Sequence, residues 1–368
     1  MRKFSISVDK SLAFLIALLI ASGCMIFASA AFGLVARGEA GMSSVVFNHA
    51  VLGIGIGLIL LVLCMQIDYH RWRPLAPYMF TFTVLVTALV FVPHLGASHG
   101  GGRRWVVIGR LSLQPSEGLK IAGSLMAAAY FAALRSKVTS YKYGLFGLLA
   151  LLAAPTLLLI LQPDLGTLGV VASGICAIFF VAGARIRDIA LILLVAIVSL
   201  ALLATLRPYV RDRVMTFIHP SQGQQAQGYQ IRQSLIAIGS GGLLGRGFGQ
   251  GVQKFTYLPE PMGDSIFAVA GEELGFIGSL GLIVIFLLFG LRGFHVSARA
   301  PDMFGTLLGI GISTYLTFEA FFNIASMLGV APLTGIPLTF VSQGGSAMLA
   351  SLASAGILLN ISKQRTKR

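Results

Sequence analysis

Asp264 is the acid best placed to do chemistry in this chain. It follows LPEPMG, whose two prolines and glycine fix a turn, and precedes SIFAV, the start of an apolar run. Two readings of it stand side by side. An aspartate here can cap a helix N-terminus, and a carboxylate beside bound phosphate can take a proton from a hydroxyl as general base. Its company favours the second. Arg103, Arg104, Arg110 and Lys120 cluster in one segment, and Arg207, Arg211, Arg213, Arg232, Arg246 and Lys254 in another. Guanidinium forks suit phosphate because they donate paired hydrogen bonds. The glycines of GSGGLLGRGFGQG let backbone N–H groups approach an anion as well. Both segments are read as one anion site with Asp264 at its edge.

Other polar residues are weighed against plainer roles. Glu272 and Glu273 lie eight and nine residues past Asp264, about 12–13 Å along a helix, so they are expected to serve structure. Glu117 and Lys120 in LQPSEGLK share a helical face one turn apart, as an ordinary ion pair or as part of the site. Asp164 in QPDLG reads as a turn and helix cap. Ser342, Gln343 and Gly344 in PLTGIPLTFVSQGGS either contact substrate or start a helix. The six histidines show no metal-ligand spacing. No Walker A or dinucleotide fingerprint is present, and Cys24, Cys64 and Cys176 sit in apolar runs as core residues.

These residues must be positioned by a membrane bundle. Only 11% of residues are charged and 56% are hydrophobic, which excludes a soluble domain of 368 residues. The unbroken length of the apolar runs excludes a β-barrel. The reading is an all-α, polytopic membrane protein: one domain, 1–368, of ten transmembrane helices over about 11–36, 46–67, 75–95, 117–134, 144–161, 165–183, 188–206, 264–291, 303–327 and 342–362. A large extracytoplasmic loop, 207–263, joins helices 7 and 8, and within it 229–241 has weakly helical spacing, as an interfacial helix or a buried one. Sixteen of the twenty-seven basic residues fall on the side of both termini, mostly in short loops. By the positive-inside rule that side is cytoplasmic, so the net charge of +14 requires no nucleic acid.

Four motifs in order, RRWVVIGRLSLQPSEGLK, QPDLGT, GYQIRQSLIAIGSGGLLGRGFGQGVQKFTYLPEPMGDSIFAVAGEELGFIG and TGIPLTFVSQGGS, resemble the SEDS family of RodA, FtsW and SpoVE, somewhat nearer FtsW. The resemblance implies a ten-span peptidoglycan glycosyltransferase in the cytoplasmic (inner) membrane, polymerising lipid II at its outer face. It also implies a class B penicillin-binding protein (transpeptidase) as partner. The family's essential aspartate matches Asp264, its ion pair matches Glu117 and Lys120, and its arginine before tryptophan matches Arg104. The expected substrate-binding set is Arg103, Arg104, Glu117, Lys120, Arg213, Arg246, Lys254 and Ser342. A divalent cation (Mg or Mn) is compatible with the resemblance, although no dedicated cage is visible. Two departures stand out: Met262 and Gly263 replace a His-Thr pair before the aspartate, and Gln343 replaces a tyrosine. A lipid II flippase is the rival reading, but intramembrane charge is confined to Glu272, Glu273 and Glu319, while the charge read as functional clusters on one face, which favours surface chemistry over translocation. A non-catalytic scaffold is the third.

Overall fold

In the computed structural model, residues 8–37, 47–93, 95–99, 102–108, 111–218 and 226–364 are described. Arg110 and residues 219–225 of the long loop lie outside them. The helices are α1 (Lys10–Arg37), α2 (Asn48–Gln66), α3 (Trp72–Ala88), α4 (Ser116–Leu134), α5 (Phe146–Leu161), α6 (Leu165–Val181) and α7 (Ile186–Leu206). After them come α8 (Pro208–Ile218), α9 (Ala226–Ser240), α10 (Gln253–Thr256), α11 (Ile266–Ala298), α12 (Met303–Met327) and α13 (Gly345–Lys363).

Each of the ten expected spans coincides with a helix. Among the described residues, eight are long and apolar enough to cross a membrane. The other two are instructive. Helix α6 is apolar but only 17 residues long, the short end of what spans hydrocarbon. Helix α4 carries Glu117 and Lys120 in its first turns, which lowers its hydropathy although both side chains are buried.

Burial separates the helices by composition. Helix α13 is almost wholly enclosed, and its small residues Ser351, Ser354, Ala355 and Gly356 are buried. A Cβ on Gly356 would stand 2.4 Å from the Leu61 carbonyl oxygen, so glycine lets α2 and α13 touch backbone to backbone. Helix α7 is the opposite case: Asp188 is its one buried residue.

Two features depart from the sequence reading. The segment between α3 and α4 is not a plain loop. It folds into a three-stranded antiparallel sheet, β1 (Gly96–His99), β2 (Gly102–Ile108) and β3 (Leu111–Leu113), in the order β1-β2-β3. The VVI and LSL pieces lie between the spans read from the sequence, and β-branched residues such as Val106, Val107 and Ile108 pair readily.

The second departure is in α11, which is broken at Gly275 (φ 67°, ψ −166°), a conformation open essentially to glycine alone. A break in hydrocarbon strands backbone groups at several kcal/mol each. The glycine-rich loop repairs it. Arg246 N–H donates to Glu272 O (3.0 Å) and Gly247 N–H to Glu273 O (3.0 Å). On the other side of the break, Phe276 N–H donates to Gly242 O (2.9 Å) and Ile277 N–H to Leu243 O (3.2 Å). The loop also solvates two buried acids: Glu272 accepts from Val252 N–H (2.8 Å) and Glu273 from Gly249 N–H (3.1 Å), with Ser29 of α1 adding a second donor to Glu273 (2.7 Å).

The glycines do bring N–H groups to anions, but the anions belong to the protein itself. Replacing Gly275 by alanine would force a Cβ to within 2.2 Å of Gly245 N. Gly275→Ala is expected to cost about 3 kcal/mol or more, read as a lowered melting temperature in detergent. An unchanged melt would show that the break is not held as described.

Candidate active site

The turn before α11 sets the position of Asp264. Glu260 O accepts from Gly263 N–H (3.0 Å) and Ser265 N–H (3.3 Å). Ser342 closes the same turn: its hydroxyl donates to Gly263 O (2.7 Å) and accepts from Leu338 N–H (2.7 Å). Gln343 N–H donates to Met262 O (2.7 Å). Ser342 is thus placed as a buried brace of the turn.

The N-cap of α11 is Ser265, not Asp264, and it makes no side-chain cap hydrogen bond. The Asp264 carboxyl is left for other work. Gln230, from α9, donates one amide to both Asp264 Oδ1 (2.9 Å) and Ser265 Oγ (2.9 Å). Asn323, from α12, donates to the Asp264 carbonyl (2.8 Å) and to Ile336 O (2.8 Å). Over the second carboxyl oxygen stands Gly335 (φ 71°), where even a Cβ would be 3.8 Å from Oδ2. One oxygen is therefore anchored and the other faces a glycine. Burial, and then the Glu260 charge, push the carboxyl up to about 6, while Gln230 and Arg213 pull the other way. A carboxyl in that range can both accept and release a proton near neutral pH.

Strand β2 and helix α8 bring cations to the same face. Adjacent residues of a strand point to opposite sides, so Arg103 is exposed while Arg104 turns inward. Arg104 donates to the carbonyls of Pro163 and Gln162 and to Tyr209 Oη (3.2 Å), and lies 3.7 Å from Asp164. Arg213 lies over the Tyr209 ring at 4.3 Å, and its Nη1 donates to Thr334 O (3.2 Å). Arg104, Asp164 and Asp264 all act on the Arg213 charge. Tyr209 thus joins Arg104 of β2 to Arg213 of α8, one cation from each basic segment. Beside Tyr209, Leu161, Leu165, Leu203 and Arg207 line a cavity of about 290 Å³ where α7 turns into α8.

The remaining predicted residues sit elsewhere. Lys254 is fully buried, with its ammonium on Glu273 and on Ser29 Oγ (2.7 Å). Arg246 lies 3.7 Å from Glu272, about 12 Å along α11 from the Asp264 turn. These two serve the repaired break, because their loop is occupied in mending α11. Glu117 and Lys120 do pair (2.8 Å), but inside the protein, where Glu319 joins Lys120 at 2.6 Å. Among the described residues no three His, Cys, Asp or Glu side chains converge into a metal cage.

Comparison with known proteins agrees over most of the length. The family profile described as "Cell cycle protein" (FtsW, RodA, SpoVE) matches residues 10–367. The chain belongs to the FtsW/RodA/SpoVE family. Stage V sporulation protein E of Bacillus subtilis is 37% identical over 317 residues, covering 86% of each chain. Peptidoglycan glycosyltransferase MrdB of Escherichia coli is 37% identical over 315 residues, covering 85% of this chain and 84% of its own. A chain from a solved peptidoglycan synthase complex, described as coordinating polymerization and crosslinking, superposes with a TM-score of 0.79. It is 31% identical, with 98% and 99% coverage. Crystalline Thermus thermophilus rod shape determining protein RodA gives a TM-score of 0.70 at 28% identity, with 99% of both chains covered.

Sequence reading of this FtsW/RodA/SpoVE member missed Gln230, Asn323 and Tyr209 as partners of the site, and Glu319 as the second acid on Lys120. Glu319 carried a signal, as an acid in the middle of an apolar run. Gln230 and Asn323 carried none beyond being amides on helices.

Proposed function

We propose that this chain is a peptidoglycan glycosyltransferase that extends glycan strands from lipid II at the outer face of the cytoplasmic membrane. The observation that carries the reading is the Asp264 carboxyl, anchored through one oxygen by Gln230 and raised to about 6, with the charge of Arg213 acting on it and Tyr209 linking Arg213 to Arg104. Asp264 takes the proton from the acceptor's 4-hydroxyl. The freed oxygen attacks the donor's anomeric carbon; the bond to the pyrophosphate oxygen breaks, and the configuration inverts. Polyprenyl pyrophosphate leaves with its charge met by the two guanidiniums, and the proton on Asp264 passes to water. The polyprenyl tail lies along the apolar wall of the cavity at the α7–α8 corner.

Both termini are cytoplasmic in this reading, as the basic short loops require, and a class B penicillin-binding protein crosslinks the product. The synthase complex similar to this chain supports that pairing. The test is purified protein, with and without such a partner, given labelled lipid II. Polymer is the expected product; lipid moving between leaflets with no polymer overturns the assignment.

The guanidiniums have their own prediction. Arg213→Lys keeps the charge but loses the planar fork, and Arg213→Ala loses both. Removing a donor aimed at developing charge costs about 10²–10³ in rate. The alanine variant is expected in that range and the lysine variant between it and wild type, in single-turnover polymerisation. Equal rates for all three would remove Arg213 from the site.

A further inference from the structure

We propose that Glu260 is a positioning residue for the proposed reaction: its carboxylate, folded over Gly263, keeps a negative charge against the Asp264 carboxyl and sets how strongly that group draws the acceptor's proton. The inference rests on Asp264 being the base and names the residue that adjusts it.

The turn makes this placement. Glu260 stands between Pro259 and Pro261. Both hydrogen bonds that close the turn, from Gly263 N–H and Ser265 N–H, go to its carbonyl, an oxygen that any residue offers. The backbone at Glu260 is left-handed, at φ 45°, where glycine fits without cost and asparagine or aspartate is the usual alternative. A strained residue beside a reacting group points to a role for its side chain. That side chain turns back along the turn. A Cβ on Gly263 would stand 3.3 Å from Glu260 Oε2 and 3.5 Å from Glu260 Cβ, so the glutamate fills the space a larger residue would need.

Asp264 follows directly, half-buried where Glu260 is exposed. Water keeps the outer carboxylate ionised, while the inner one feels that charge through a medium that screens less. Asp264 is faced by Gln230 of α9 on Oδ1, by Arg213 of α8, by Glu260 across the turn, and by Asn323 of α12 on its main-chain oxygen. Of these four, Glu260 is the acid. A like charge opposes ionisation, so Glu260 works with burial and against Arg213 and Gln230 in bringing the carboxyl to about 6.

The experiment pairs pH profiles of polymerisation with melts of the full chain in detergent. Glu260→Gln keeps the shape and loses the charge; Glu260→Asp keeps the charge and suits a left-handed backbone. With each profile scaled to its own plateau, the acid limb of Glu260→Gln is expected about one pH unit below the parent's. At pH about 5 the variant then retains roughly fivefold more of its plateau than a parent whose limb lies at about 6. Glu260→Asp should hold the limb near the parent's. The melts need no substrate. Asp264→Asn should raise the melting temperature at pH 8 less in the Glu260→Gln background than in the parent, because less of the carboxyl's shift is left to relieve. An unmoved limb overturns the proposal, and so do equal Asp264→Asn gains in both backgrounds. So does a Glu260→Asp limb displaced as far as that of Glu260→Gln, which would mean that the shape of the turn acts and its charge does not. A fully active Asp264→Asn protein would instead remove the base on which the inference rests. The melts, made without lipid II, tell that failure from this one.

Discussion

Asp264→Asn is expected to lower polymerisation by about 10²–10⁴ in rate, the range that general-base catalysis contributes, while leaving the fold intact. Asparagine keeps the acceptor that Gln230 engages at 2.9 Å, and the main-chain bond from Asn323 does not depend on the side chain. Only the proton-accepting oxygen is lost. In the parent protein, activity should rise with the ionised fraction of this carboxyl, which means through pH about 6. The residual activity of the variant should lack that limb.

Stability should move the other way. Between the ordinary carboxyl value and about 6 the native state binds this proton while the unfolded state has released it, so the stability contributed falls as pH rises. The asparagine variant escapes that loss and is expected to melt higher than the parent at pH 8, with the gap closing toward pH 4. Such a trade is what a strained catalytic acid gives. Labelled lipid II assays and melts across pH check both halves. A fully active Asp264→Asn protein would mean that another group is the base.

How much of this could be read from the chain alone depended on how local each signal was. Spans declare themselves because an apolar run needs no partner to be recognised. The Glu117–Lys120 pair was legible for the same reason: i, i+3 spacing on a helix already brings the groups together. Its third member was not, because Glu319 is 199 residues from Lys120, and only packing of α12 on α4 joins them. Asp264 was found by the chemistry of its neighbours, yet what holds it came from two other helices. The glycine-rich loop shows the opposite error. Glycine reports that something comes close to a backbone, never what comes close. Here it was the broken α11, not a phosphate, so Arg246 and Lys254 were drawn to the wrong anion.

Lys120→Met should be among the most damaging single substitutions in the molecule, more so than the loss of either acid it serves. Two carboxylates share one ammonium, at 2.8 and 2.6 Å, and Glu117, Lys120 and Glu319 are 3%, 3% and 1% exposed. Removing the ammonium that they share leaves two uncompensated carboxylates in a low-dielectric interior, a class of change costing about 3–5 kcal/mol. Glu117→Gln or Glu319→Gln instead leaves a neutral one-to-one pair, and each is expected to be mild. The double Glu117→Gln/Glu319→Gln variant strands a bare ammonium and should fall back near Lys120→Met. This non-additive pattern is the signature of one coupled unit, and melts in detergent would read it directly. A Lys120→Met protein as stable as the parent would refute the account. The damage should reach catalysis as well. Glu319 and Asn323 are four residues apart on α12, on one helical face, and Asn323 holds the Asp264 carbonyl. A helix that shifts to relieve the buried charge carries the base out of register with the acceptor hydroxyl, so polymerisation should fail even where the protein still folds.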